Sequence, residues 1–144
     1  MLELIERPSE SLWQARHDWL ATREEGYAAG GAGRLSEQAA ALMVELQRAF
    51  CSGGWAAVVI LAGAIVDAQA FNSGFPEHTR GEDQAWLRGL RNRLMHEQQG
   101  APAITMEDQW LRGPEWEASA KRATDLAMEA LYVWGRGDSS ARRR

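Results

Sequence analysis

The sequence has one cysteine and no excess of positive charge, and each shortage excludes a class of protein. Cys51 alone cannot form a disulfide within the chain of 144 residues, and no group of Cys and His has the spacing of a zinc site. We therefore expect no metal ion and no other cofactor. The net charge of −4 at pH 7 argues against binding of nucleic acid through the overall field. An anionic ligand would need a local basic site.

A membrane span and a signal peptide are not expected either. The longest apolar run, residues 55–66, would cover about 18 Å as a helix, which is too short for a hydrocarbon core of about 30 Å. The first six residues carry acids where a signal peptide carries Lys or Arg. We therefore expect no membrane partner and a reducing, cytoplasmic location.

Helical periodicity interrupted by polar segments predicts an all-α protein. No segment alternates as a β-strand does, and residues 55–66 are apolar on every side, as in the central helix of a soluble bundle. We expect a compact antiparallel bundle of about five helices in one domain, residues 1–134, followed by a flexible tail, 135–144. Residues 103–113 give no clear signal. The predicted helices cover about residues 9–28, 36–51, 55–71, 83–98 and 114–134.

The fourth predicted helix carries the most informative stretch of the chain, Arg91–His96. It places a fixed cation (Arg91), a neutral amide (Asn92) and a titratable imidazole (His96) within about one and a half helical turns. These are the groups needed to hold a phosphate and to move a proton beside it. An Arg and a His at this spacing alone are a weak signal.

A helical wheel places the polar groups of the motif away from the core. Leu87, Leu90 and Leu94 form the stripe that faces the core, and Asn92 and His96 then lie on the opposite side, because successive residues are about 100° apart. Two interpretations of the histidine remain open. It is either an ordinary surface residue or a residue that faces a ligand or partner.

Asp67 gives a second, partly independent indication. It directly follows the apolar run, where burying a carboxylate is costly unless it is paired. Arg91 is the natural partner, since guanidinium and carboxylate groups can form two parallel hydrogen bonds. The alternative is that Asp67 simply reaches solvent as the helix ends.

The segment from about residue 35 to residue 134 resembles the HEPN family (higher eukaryote and prokaryote nucleotide-binding domains). The resemblance is carried by an apolar helix that begins after Gly54, by Asp67 on that helix, and by the Arg-polar-x-x-x-His motif at residues 91–96. It implies a HEPN-like bundle in which Asp67 supports the motif arginine. It also implies a function directed at RNA, often as a metal-independent endoribonuclease.

The resemblance further implies a homodimer that forms through the motif helices. Attack by a ribose 2′-OH needs a base for that hydroxyl and an acid for the leaving oxygen, and a two-fold dimer would supply two copies of His96. Arg91 would stabilise the charged phosphorane, and Asn92 would orient the imidazole or bind a phosphate oxygen. Arg88 and Arg93 are candidate RNA contacts.

Departures from the family leave alternatives open. HEPN toxins paired with a nucleotidyltransferase antitoxin often have Tyr two residues after the His, but this chain has Gln98, which disfavours that subclass. An antitoxin or other operon partner is still a candidate.

For Trp86, a helix–helix or dimer contact is favoured over base stacking, and His78 is interpreted as an ordinary loop residue. The alternatives are a non-catalytic HEPN-like module that binds RNA, nucleotide or protein, and a structural bundle in which the motif is coincidental.

Overall fold

The computed structural model describes residues 1–73, 81–98 and 100–136, and the chain folds as an all-α domain. Helices make up 78% of it, and the described residues contain no β-strand, only an isolated bridge between Gln98 and Ala101. The predicted all-α class and compact helical fold are confirmed. The described helices are α1 (Glu10–Ala28), α2 (Glu37–Ser52), α3 (Trp55–Ser73), α4 (Glu82–Met95), the short α5 (Met106–Leu111) and α6 (Gly113–Tyr132), with short 3₁₀ turns at Leu2–Leu4 and Trp134–Arg136.

The first two helices begin where polar side chains can cap them. The Ser9 hydroxyl accepts a hydrogen bond from the Leu12 N–H, and the Ser36 hydroxyl accepts one from the Ala39 N–H, each at 3.2 Å. Each bond satisfies a backbone donor that has no partner within the helix. α2 ends at Gly53, whose φ of 82° favours glycine. Both predicted helix starts are therefore confirmed.

α3 is the central helix of the domain. It packs against α2 on one side and α6 on another, and α4 lies beside it. Burial of a broad apolar face against these helices removes that face from water, which is the main stabilising contribution of such a helix. The buried residues of α3 include Val58, Val59, Ala62, Ile65, Val66 and Ala70.

One face of α3 is not covered, so the expectation of a helix buried on every side is wrong. Phe71 is 93% exposed, and Ile60 and Ala64 on the same face are only partly buried. The helices packed around α3 therefore leave this strip open. By length and composition, residues Trp55–Asn72 could also cross a membrane, although 44% of that window is buried within the domain. The shortness of the twelve-residue apolar run therefore does not exclude a membrane-spanning helix.

α4 lies against the core through its leucines. Leu87 and Leu90 are buried, and Leu94 is partly buried against the same core. The stripe predicted from the spacing of these residues is therefore confirmed. The helix ends at Met95, three residues before the predicted end at Gln98.

Residues 103–113, which gave no clear signal, contain the loop that leads into α5, the whole of α5 and the first residue of α6. Thr105 caps α5, and Asp108 returns the interaction: the Thr105 hydroxyl accepts from the Asp108 N–H at 3.2 Å, and the Asp108 carboxylate accepts from the Thr105 N–H at 2.9 Å. This reciprocal capping allows a helix of only six residues to form.

The packed domain extends slightly beyond its predicted boundary at residue 134. Gly135 is buried, and the Arg136 guanidinium donates hydrogen bonds to the backbone carbonyls of Gly31 and Tyr27, near the end of α1. Carbonyls at the end of a helix lack partners within it, so an arginine from elsewhere in the chain can satisfy them. Two residues assigned to the tail thus belong to the domain, and residues 137–144 lie outside the described part.

Candidate functional site

Arg91 and Asp67 form an ion pair that joins α4 to α3. The Arg91 Nη1 donates to the Asp67 Oδ2, which confirms the pairing expected from the sequence. The Arg91 side chain is 23% exposed, whereas the Asp67 side chain is 60% exposed. The pair therefore lies at the edge of the domain, with the cation covered better than the carboxylate.

Asn92 receives the other branch of the same guanidinium. The Arg91 Nη2 donates to the Asn92 Oδ1 at 3.4 Å, which is long for a hydrogen bond and indicates a weak contact. Asn92 is exposed, as the helical wheel predicts. Arg91 thus donates to one side chain on α3 and to one on its own helix, and these two contacts orient its guanidinium.

Gly63 belongs to this arrangement although the sequence analysis did not identify it. Gly63 is buried in α3, one helical turn before Asp67, and the Arg91 side chain lies directly over it. The available signal was an isolated glycine within a helical pattern, since such a glycine usually has a packing or functional reason. It did not specify which side chain would need the space.

His96 does not continue the helix, so its predicted helical position is wrong. Its φ of −138° and ψ of 110° are those of extended backbone, although its N–H still donates to the Asn92 carbonyl at 2.9 Å. The chain reverses immediately afterwards in a tight turn, with Gly100 at a φ of 69°. α4 therefore stops at Met95.

The histidine nevertheless lies outside the core, as expected. His96 is exposed, and so is the adjacent Met95, at 55% of its surface. The structure therefore places an imidazole at the open C-terminal end of α4, beyond the turn that carries Arg91 and Asn92. His78, which the sequence places in the loop before α4, lies outside the described residues.

The two candidate RNA contacts lie on different flanks of α4. Arg88 is exposed and lines a narrow cleft together with Asp67 and Arg91. Arg93 is also exposed but borders a separate groove of about 390 Å³, whose walls include Trp86. Only Arg88 is therefore brought next to the ion pair.

The groove beside Arg93 contains acids as well as bases. Arg112 lies on its wall, and the Arg112 Nε is 3.4 Å from the Asp108 carboxylate. Glu115 lines the same groove. The hydrogen bond from the Thr105 backbone N–H holds the pKa of the Asp108 carboxyl below its usual value. Because two arginines and two acids line the groove, it has little net positive charge with which to attract a polyanion.

Other reactive groups in the described residues lie away from this site. Cys51 is buried at the end of α2, and burial raises the pKa of its thiol while the nearby Arg16 opposes that change. A high thiol pKa disfavours the thiolate that a nucleophile requires. Among the residues that the structure describes, no three His, Cys, Asp or Glu side chains are grouped to hold a metal ion.

Comparisons with protein-family models, with curated proteins and with solved structures find no match to this chain. The chemistry of the site therefore follows from its own residues. Arg91 is a cation held in place, Asn92 is an amide beside it, and His96 is an exposed imidazole at the end of the same helix. A single imidazole can accept or donate a proton in one step, but it cannot be base and acid at once.

Proposed function

We propose that this chain is a metal-independent endoribonuclease of the HEPN type that acts as a homodimer through α4. The observation that carries the proposal is the contrast within the motif. The cation, Arg91, is fixed by Asp67, while Asn92 and His96 are exposed on the same end of the helix. A fixed cation and an exposed imidazole on the same helix are groups that cleavage of a phosphodiester can use.

In the proposed reaction, a ribose 2′-OH attacks the adjacent phosphate. One His96 removes the proton of that hydroxyl, and the charge that builds up on the phosphate oxygens is stabilised by Arg91. The second His96 donates a proton to the departing 5′-oxygen. The products are a 2′,3′-cyclic phosphate, which hydrolysis opens to a 3′-phosphate, and a 5′-OH.

Two features support a dimer in this mechanism. One chain supplies one His96, so the base and the acid together require two copies. The open face of α3, which includes Phe71, and the exposed Met95 are apolar surfaces on the two helices that the Arg91–Asp67 pair joins. A second copy with its two-fold axis near α4 would cover apolar surface and bring the two histidines together.

The test is incubation of the purified protein with mixed RNA in EDTA. The wild type should cleave, and His96→Ala should not. His17→Ala is the matched control, because His17 is also an exposed histidine, with 52% of its side chain accessible, but lies on α1. Intact RNA with the wild type would contradict the proposal. Equal cleavage by wild type and His96→Ala would indicate a contaminating nuclease.

A second candidate function is a HEPN-like module that binds RNA, nucleotide or a protein partner without cleaving. One chain supplies a single exposed His96, which cannot be base and acid at once, so this is the function expected of the chain as a monomer. Such a module would retain labelled RNA in an anisotropy titration in EDTA while leaving it intact, and Arg91→Ala would weaken retention. An antitoxin or other operon partner is part of the same proposal and would be sought by co-purification.

A further inference from the structure

Gly63 lies in the middle of α3, where glycine is unfavourable. Relative to alanine, a glycine inside a helix lowers the folding equilibrium constant by roughly fivefold, which corresponds to about 1 kcal/mol. The neighbouring positions, Ala62 and Ala64, show that alanine suits this stretch of the helix. A glycine retained between them therefore needs a specific reason.

The reason lies in the path of the Arg91 side chain. A Cβ added to Gly63 would lie 2.5 Å from the Arg91 Cδ, 3.2 Å from its Cγ and 3.4 Å from its Nε. The first of these distances is closer than two nonbonded carbon atoms can approach. The aliphatic stem of Arg91 thus crosses α3 through the space that a methyl group would fill.

The glycine serves the side chain of α4 rather than its backbone. All three of the nearest atoms to the added Cβ belong to Arg91, and none belongs to the α4 main chain. The close contacts are with the middle of the side chain, so the overlap cannot be relieved by moving only the terminal nitrogens. A larger residue would rotate the stem and carry the guanidinium with it.

We infer that Gly63 is the positioning residue for Arg91. Gly63 and Asp67 are four residues apart and therefore lie on the same face of α3. Gly63 leaves room for the stem, and Asp67 binds the guanidinium one turn further along. Both are needed to hold the cation beside Asn92. The effect of this on RNA cleavage rests on the proposed function, whereas the effect on the ion pair does not.

The first arm of the test is a stability cycle with three substitutions. Gly26→Ala is the control, since Gly26 is an exposed helical glycine on α1 with no atom within 4 Å of an added Cβ. It should raise the folding equilibrium constant by roughly fivefold, the usual gain of alanine over glycine in a helix. Gly63→Ala should show no such gain, or a loss, in the wild type. In an Arg91→Ala background it should recover the gain, because the obstructing stem is gone.

The second arm observes Arg91 itself by ¹⁵N NMR. The Nε–Hε resonance of Arg91, assigned by its disappearance in Arg91→Ala, should shift in Gly63→Ala and stay in place in Gly26→Ala. A structural defect elsewhere in α3 would not move this one signal selectively. If Gly63→Ala stabilises equally with and without Arg91, and the resonance does not move, the inference is overturned.

The third arm measures RNA cleavage in EDTA and separates this inference from the proposed function. Gly63→Ala should lower the rate towards that of Arg91→Ala, while Gly26→Ala should cleave as the wild type does. If neither the wild type nor any variant cleaves RNA, the proposed function fails. The stability cycle and the Arg91 resonance then still decide the role of Gly63. Cleavage at the wild-type rate by Gly63→Ala would overturn the positioning role.

Discussion

The Arg122 guanidinium on α6 lies over the Trp86 ring on α4, 4.0 Å from the ring centroid. The same arginine donates to the Asp83 carboxylate at 2.8 Å. The helix–helix contact favoured for Trp86 on sequence grounds is thereby confirmed, and one face of the ring is covered. Near its start, α4 is held to α6 by the pair between Asp83 and Arg122. Nearer its end, α4 is held to α3 by the pair between Arg91 and Asp67.

The first prediction concerns the energy of the Arg91–Asp67 pair. Removing one partner of a fully buried ion pair costs about 3–5 kcal/mol, and removing one partner of a partly buried pair costs less. Because the Asp67 side chain is 60% exposed, we expect the smaller of these losses of stability. Asp67→Asn should lower the free energy of unfolding by about 1 kcal/mol or less, measured by urea denaturation.

The control for this prediction is the same substitution in an Arg91→Met background. There the Arg91 guanidinium is absent, so Asp67→Asn should lower the free energy of unfolding by less than it does in the wild type. An equal loss of stability in both backgrounds would mean that the carboxylate stabilises the fold through some other contact.

The second prediction concerns assembly. Light scattering at micromolar concentration should give the mass of two chains. Met95→Glu should shift the equilibrium towards one chain, because it introduces a charge beside the proposed two-fold axis. Val44→Glu on α2 is the matched control, since Val44 is similarly exposed, at 47% against 55% for Met95. A wild-type mass of one chain would count against the dimer.

The third prediction concerns the pH dependence of cleavage. One imidazole must be neutral and the other charged, so the rate in EDTA should follow a bell-shaped curve against pH. His96→Ala should reduce the rate by about 10²–10⁴-fold, the usual contribution of proton transfer. Arg91→Ala should also reduce it, but part of that effect would be structural through Asp67. A rate that rises steadily with pH would contradict the paired-histidine mechanism.

The fourth prediction concerns Asp108, whose folded-state pKa is lowered by the Thr105 backbone N–H. A lowered pKa means that the carboxylate stabilises the fold above the unfolded value of about 3.9 and that this contribution is lost as the pH falls through the folded pKa. Asp108→Asn should therefore be less stable than the wild type near neutral pH. The difference in melting temperature should shrink below about pH 4. A difference in melting temperature of the same size near neutral pH and below about pH 4 would contradict the lowered pKa of Asp108.

Short-range signals allowed much of the bundle to be predicted. The serines before α1 and α2 act on donors only three residues away, so the sequence marks both starts directly. The leucine spacing of α4 predicted its buried side for the same reason. The Arg91–Asp67 pair was also predictable, because burying a carboxylate directly after an apolar run is costly unless it is paired, and the motif provides a cation.

Other features depend on residues that are distant in sequence. Gln69 on α3 is fully buried, where it accepts from the Ser36 N–H and donates to the Arg34 carbonyl, each at 2.8 Å. Nothing local distinguishes this glutamine from a surface residue. The contacts of Arg136 with the end of α1 join residues more than a hundred positions apart. Pairings of this kind are set by how the helices pack.

The sequence by itself determined the helical class, the main helices and the residue types at the motif, because periodicity and capping act within a few residues. Only the tertiary structure decided that His96 leaves the helix, that one face of α3 stays open and that Gly63 accommodates Arg91. The packing of α4 on α3 fixes the path of Arg91. These depend on atoms brought together by the fold.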